Sequence, residues 1–252
     1  MSHNTTCLNC TEPVSQKFCP NCGQKCDTHR ITFKHLVFHD IIHGIWHFEK
    51  GILFTIKEAL TRPGKAALDY IAGKRIRYYN VFYLALLLIG LNLFLVHFYD
   101  THVGAFIKTE KVAQNHDGKQ LDQFFDSYEK LLLIGLLPLF AINSFILFRK
   151  KKLNFSEHII VSGMIYLGIL IISLSLNVFI FFDFTENFVF LSEASDFVAP
   201  FLLLSYVVFA YYNAFGTSYT KFSFIFKMLF FIALLFVEVL AFMLCVKALL
   251  RS

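Results

Sequence analysis

The sequence predicts an all-α integral membrane protein with a small metal-binding segment at its N-terminus. Hydrophobic residues make up 56% and charged residues 16% of the 252 residues, whereas an ordinary soluble domain is about 45–50% apolar and about 25% charged. Five of the six cysteines lie within the first 26 residues, and long apolar runs fill much of the remaining chain. This composition argues against a soluble globule and against a disulfide-rich secreted domain.

Two C-x-x-C pairs characterise the N-terminal segment, which we define as residues 1–29. The four cysteines of these pairs are Cys7, Cys10, Cys19 and Cys22. This spacing is a strong signal for tetrahedral zinc, because each pair presents two sulfurs to one ion. Gly23 can adopt the positive φ of such a turn. The segment is too short for a sufficient hydrophobic core, so the metal would supply its folding energy.

The sequence therefore predicts a structural zinc ribbon, because a site closed by four sulfurs leaves no position for a reacting water. A redox dithiol is the alternative, but that chemistry expects a βαβ context, which does not follow here. Cys26 and His29 are interpreted as bystanders beside the four ligands.

Residues 30–79 predict an amphipathic helical region that lies in the membrane interface. Apolar residues between Phe33 and Phe48 recur near the 3.6-residue period of a helix. Beside them lies a stripe of histidines at every fourth position, with an aspartate nearby: His35, His39, His43, His47 and Asp40. The stripe could form a second metal site or a proton-transfer site. We favour the simpler interpretation of a polar helix face at the level of the headgroups.

Basic residues precede the first predicted span and are expected to face the cytoplasm. They are Arg62, Lys74, Arg75 and Arg77. Residues 1–80 hold 11 Lys and Arg against 6 Asp and Glu, so the whole formal charge of +5 lies there. These side chains could bind anionic lipid headgroups, although inside-facing charge alone explains them more simply. Because they are scattered among apolar residues, they do not favour nucleic-acid binding.

Several short motifs follow one another in the first third of the chain. They are Cys7/Cys10, Cys19/Cys22 with Gly23-Gln24, Arg30-Ile31-Thr32, Asp40, His43, His47, Glu49-Lys50-Gly51, Thr55, Arg62-Pro63-Gly64, Tyr70-Ile71, Gly73-Lys74-Arg75 and Tyr78. This order resembles a bacterial family of unknown function, domain of unknown function 3667, over roughly residues 7–80. The resemblance implies an N-terminal zinc ribbon joined to a multi-pass membrane domain. It implies no activity.

Five apolar runs predict transmembrane helices within residues 80–252. They are about 80–99, 131–148, 158–182, 197–215 and 222–246. Each is long enough, or nearly so, to cross about 30 Å of hydrocarbon. Lys and Arg collect in alternate connections, and the opposite connections are acidic. This asymmetry predicts a cytoplasmic N-terminus. Together with the family resemblance, it implies a multi-pass protein of the bacterial inner (cytoplasmic) membrane.

Polar side chains interrupt the predicted spans. Asn92, Asn177 and Glu238 are expected at similar depth, where they could line one polar pocket between helices. Asn143 lies inside the second predicted span. Ordinary hydrogen bonding between helices is the simpler interpretation of these residues.

The sequence favours a non-enzymatic function, with no catalytic residues assigned. The ribbon and the basic region would dock a cytoplasmic protein partner or the lipid surface, while the spans provide the membrane anchor. One alternative is a transporter-like module around Glu238. The other is a membrane metalloenzyme that uses the stripe from His35 to His47. Phosphate-binding and dinucleotide-binding glycine motifs are absent from the sequence.

Overall fold

The computed structural model describes residues 6–26, 30–32, 51–99, 101, 134–184 and 188–249. Within these residues the regular structure is helical. The cysteine segment, which we define as residues 6–26, contains two isolated β-bridges. The α-helices are α1 (Ile52–Thr61), α2 (Pro63–Ile71), α3 (Val81–Tyr99), α4 (Ile134–Leu147), α5 (Phe155–Asn177), α6 (Val189–Phe215) and α7 (Lys221–Leu249). The predicted all-α class is confirmed for this part of the chain.

Four helices, α3, α5, α6 and α7, are long and apolar enough to cross a membrane. They correspond to four of the five predicted spans. Helix α4 corresponds to the remaining one and is apolar but shorter over its described residues. Helix α6 begins earlier than predicted, at Val189 rather than near residue 197. Its first turns carry Glu193 and Asp196 at exposed positions, so hydropathy alone does not assign those turns to the span.

Helix α5 forms the centre of the bundle. Every residue from Ile160 to Leu170 is buried, and α5 packs against α2, α3 and α6. The helix starts with a capping box, in which the Asn154 side chain accepts from the Glu157 N–H at 2.8 Å. The Glu157 carboxylate in turn accepts from the Asn154 N–H at 2.7 Å. Both bonds satisfy donors that a helix N-terminus otherwise leaves unpaired.

Helices α1 and α2 are joined through the single residue Arg62 and share the core of the bundle. The side chains of Ala59, Ala66 and Ala67 are completely buried. The Tyr206 hydroxyl on α6 donates to the Ala59 carbonyl at 2.6 Å. Small side chains in α1 and α2 therefore let the backbones of these helices approach the long helices closely.

Residues 30–32 connect the N-terminal part of the chain to the start of α5. Arg30 donates from Nε and Nη2 to the two carboxylate oxygens of Glu157, each at 2.8 Å. Ile31 is buried in the main core, and its carbonyl accepts from the Asn154 side chain at 2.9 Å. The segment is thus held by a bidentate ion pair and by apolar burial.

Arg30→Ala should lower the unfolding temperature of the protein, because the buried Glu157 carboxylate loses its charged hydrogen-bond donor. Thermal unfolding in detergent measures this loss. Arg149→Ala, at an exposed arginine, is the control and should change stability by less than about 0.5 kcal/mol. Equal effects of the two substitutions would contradict the assigned role of Arg30.

Candidate metal centre

The first cysteine pair lies in a tight turn closed by backbone hydrogen bonds. The Cys7 N–H donates to the Glu12 carbonyl at 2.8 Å, and the Thr11 N–H donates to the Cys7 carbonyl at 2.9 Å. Thr11 adopts a φ of 63°, a left-handed conformation that is unusual for a β-branched residue. The turn directs the Cys7 and Cys10 thiols to the same side.

The second pair repeats this turn twelve residues later. The Cys19 N–H donates to the Gln24 carbonyl at 2.8 Å, and the Gly23 N–H donates to the Cys19 carbonyl at 2.9 Å. Gly23 has a φ of 74°, as the sequence predicts, and occupies the position of Thr11 in the first turn. The two isolated bridges follow the same spacing, Thr6 with Pro13 and Phe18 with Lys25.

The two turns bring four thiols together. The Sγ atoms of Cys7 and Cys22 lie 3.6 Å apart, those of Cys10 and Cys19 lie 3.5 Å apart, and all four lie within 4.8 Å of one another. A tetrahedral ion with metal–sulfur bonds of about 2.3 Å requires sulfur–sulfur edges of about 3.8 Å. The four cysteines therefore fit a single metal ion.

The local electrostatics favour a thiolate at Cys22. Burial acts to raise the pKa of this thiol, but hydrogen bonds with the Asn9 side chain, the Gln24 backbone and the thiols of Cys7 and Cys10 together outweigh burial and lower the pKa to about 6. A thiolate is the form that binds metal. Burial instead raises the pKa of Cys26, whose Sγ lies 3.7 Å from the Gln24 carbonyl oxygen and outside the group of four.

The cysteine segment is bound to the connection between α2 and α3. The Ile76 N–H donates to the Gln24 side chain at 2.9 Å. Arg77 donates to the Asn9 side chain at 2.6 Å and to the Asn9 carbonyl at 2.9 Å. Asn9 lies within the first C-x-x-C pair and Gln24 follows the second, so both turns of the metal centre contact the connection between α2 and α3.

The basic residues predicted to bind lipid headgroups all have partners within the protein. Arg62 contacts Glu58 and Asp69, and Lys74 donates to Asp69 at 2.8 Å. The Arg75 guanidinium lies 5.7 Å from the centre of the Tyr70 ring. Arg77 contacts Asn9, as described above. In the structure these four basic side chains therefore contact other residues of the protein itself.

The polar residues of the predicted spans form two pairs rather than one group of three. The Asn177 side chain donates to the Asn92 side chain at 3.1 Å, and Asn92 donates to the Leu170 carbonyl at 3.2 Å. Glu238 instead accepts from the Asn143 side chain at 2.8 Å. Asn143 is thus the partner of Glu238 that the sequence did not assign.

The histidine stripe lies outside the described residues. It comprises His35, His39, His43, His47 and the adjacent Asp40. A second metal site or polar site at these positions therefore remains a prediction.

Sequence reasoning also did not identify Asn9 and Glu157, which bind the N-terminal part of the chain to the bundle. Nothing local in the sequence marks these residues, because their partners Arg77 and Arg30 are far away along the chain. The left-handed conformation of Thr11, in contrast, could have been predicted from the sequence. Aligning the two cysteine pairs places Thr11 on Gly23.

Residues 49–89 match the model of a family described as a protein of unknown function, DUF3667. The match confirms the resemblance to that family over α1, α2 and the first part of α3. The cysteine segment lies outside the matched residues. No curated protein and no solved structure matches the chain.

Proposed function

We propose that this chain is a multi-pass protein of a bacterial inner membrane, with an N-terminal structural zinc ribbon that docks a cytoplasmic protein partner. The observation that carries the proposal is the group of four thiols, together with its attachment to the helical bundle. In this proposal residues 1–29 form the ribbon, residues 30–79 form the interfacial region, and residues 80–252 form the membrane domain. The role is non-enzymatic.

Zinc is the metal that suits four closely spaced cysteines. Four thiolates at tetrahedral spacing are the usual structural zinc site, and a closed site has no open position for a substrate. The Cys7, Cys10, Cys19 and Cys22 thiolates would hold the ion. When bound, the ion would supply folding energy to a segment whose own core is small.

The arrangement of basic residues supports a cytoplasmic N-terminus. Arg30, just after the cysteine segment, donates to the Lys152 carbonyl at 2.9 Å, next to the basic connection between α4 and α5. The Lys150 ammonium lies 4.8 Å from the centre of the Tyr219 ring, just before α7. Basic connections and the N-terminal part of the chain thus share one end of the bundle, as the positive-inside rule expects of the cytoplasmic end.

The exposed surface of the cysteine segment favours a protein partner over a lipid surface. Phe18 is 52% exposed and Leu8 is 37% exposed, one near each turn. The cations that would attract headgroups already have partners within the protein. Exposed apolar side chains on a rigid metal-bound module are typical anchors for another protein.

Photo-crosslinking tests this docking function. A benzoylphenylalanine introduced at Phe18 in the full chain, in cells of the source organism, should form an adduct with one protein of discrete mass. The same residue at Leu53, which is 82% exposed on α1, is the matched control and should give no such adduct. The adduct at position 18 should disappear when Cys19 and Cys22 are replaced with serine, because the ribbon loses its metal.

Adducts with lipid alone at position 18 would overturn the protein-partner proposal in favour of a lipid-docking ribbon. An absence of adducts at that position would overturn docking altogether. Neither result would affect the metal site, which is measured separately by metal content.

A further inference from the structure

Arg77, in the connection before α3, makes two hydrogen bonds to a single residue of the cysteine segment. Its Nε donates to Asn9 Oδ1 at 2.6 Å, and its Nη2 donates to the Asn9 carbonyl at 2.9 Å. Asn9 lies between Cys7 and Cys10 in the sequence. Because the planar guanidinium fixes its donors relative to one another, it holds both the side chain and the backbone of Asn9 in place.

Asn9 in turn contacts the metal centre. Its Oδ1 accepts from Arg77, so its Nδ2 is the side-chain atom that remains to donate. The Asn9 side chain forms a hydrogen bond with the thiol of Cys22, in the opposite cysteine pair, and this bond favours the thiolate. A continuous chain of hydrogen bonds therefore runs from Arg77 through Asn9 to one of the four metal-binding cysteines. Outer partners of this kind orient a metal ligand and tune its affinity.

The second cysteine pair provides an internal comparison. Asn21 occupies the position in that pair that Asn9 occupies in the first. Asn21 is exposed, and no hydrogen bond joins its side chain to Cys10 in the part of the chain that the structure describes. Of the two equivalent asparagines, the one that contacts a cysteine of the opposite pair, Cys22, is thus the one that Arg77 holds.

The charge of a loaded site would favour this contact further. Four thiolates around one divalent ion carry a net negative charge, whereas four protonated thiols carry none. The guanidinium of Arg77 is always positive. A second bond, from the Ile76 N–H to the Gln24 side chain, joins the same two segments. Because coupling between two binding events is reciprocal, attachment should strengthen metal binding by the same factor as metal binding strengthens attachment.

We propose that Arg77 is a positioning residue for the metal centre, on which it acts through Asn9 and Cys22. Metal binding and the attachment of the cysteine segment to the connection before α3 then stabilise one another. The proposal rests on the zinc site proposed above and is independent of any protein partner.

Zinc affinity of the full chain in detergent, measured by competition with a chelating dye, tests this role. Arg77→Leu should weaken zinc binding by about 10-fold, the lower end of the usual effect of an outer partner, because the Arg77 side chain is exposed. Asn9→Ala should also weaken binding, and Arg77→Leu should have a much smaller effect when added to it. Asn21→Ala and Lys74→Met are the matched controls and should leave the affinity unchanged, because Lys74 contacts Asp69 instead.

Cobalt substitution distinguishes positioning of a thiolate from a general loss of structure. With Co²⁺ bound, the sulfur-to-cobalt charge-transfer band should shift to lower energy in Arg77→Leu and in Asn9→Ala, because a thiolate without its hydrogen bond is a better electron donor. The band should keep its position in Asn21→Ala. Hydrogen exchange provides the reciprocal measurement. Removing zinc from the wild type should accelerate exchange in residues 73–80, since the Ile76 N–H donates to the cysteine segment.

Each result bears on a separate part of the proposal. Zinc affinity and a cobalt band that Arg77→Leu leaves unchanged would overturn the positioning role of Arg77. Exchange in residues 73–80 that does not respond to zinc would overturn the mutual stabilisation. A wild type that binds no zinc would overturn the ribbon and this proposal together, whereas equally tight binding in every variant would overturn only this proposal.

Discussion

Protein carrying Cys19→Ser and Cys22→Ser should contain no bound zinc, whereas the wild type should contain one ion per chain. The double substitution removes half of the four thiols that lie within 4.8 Å of one another. Structural zinc contributes about 10–16 kcal/mol to the folding of small zinc modules, so the ribbon should also unfold. Elemental analysis measures the metal, and limited proteolysis of residues 6–26 measures the unfolding.

His43→Ala with His47→Ala is the matched control for metal content. This variant should retain one zinc ion, because the four cysteines suffice for a closed site. A second metal ion in the wild type that is lost in the histidine variant would support the metalloenzyme alternative. A wild type that binds no metal would contradict the zinc ribbon itself.

Gly64→Ala should destabilise the protein by about 3 kcal/mol, which is at the upper end of the usual cost of overpacking. A Cβ at this position would clash with the Ala214 backbone nitrogen and would lie 2.6 Å from the Ala214 Cα. The obstacle is the backbone of α6, which cannot rotate away as a side chain can. Asn213 also accepts from the Lys65 N–H at 2.8 Å, so separating the helices would break this cap of α2 as well.

Gly90→Ala on α3 is the control for the glycine substitution. A Cβ at Gly90 would have no atom within 4 Å, and alanine is favoured over glycine in a helix by about 0.5–1 kcal/mol. Gly90→Ala should therefore be neutral or slightly stabilising. Thermal unfolding of both variants in detergent measures the difference. Similar stabilities of the two variants would show that α2 and α6 do not approach as closely as described.

Local sequence signals predicted the features that depend on neighbouring residues. The spacing of the C-x-x-C pairs predicted which four thiols come together, because each turn involves only a few consecutive residues. Apolar runs predicted the helices that can cross a membrane. The start of α6 was predicted too late, because exposed acidic residues occupy its first turns.

Contacts between distant parts of the chain could not be predicted from these signals. The sequence grouped Glu238 with Asn92 and Asn177 by depth, but helix rotation decides which side chains meet, and α4 presents Asn143 to Glu238. Likewise, the basic residues before α3 have the composition of a headgroup-binding region. Their actual partners, such as Asp69 and Asn9, depend on how the chain folds back.

The sequence by itself determined that this protein is helical, has segments able to span a membrane, and has four cysteines spaced for one metal ion. Hydrophobicity and short-range spacing are sufficient for those conclusions. Only the tertiary structure decided that the cysteine segment binds the connection before α3 and that Arg30 pairs with Glu157. It also decided that Asn143 joins Glu238, because such contacts depend on the packing and rotation of helices far apart in sequence.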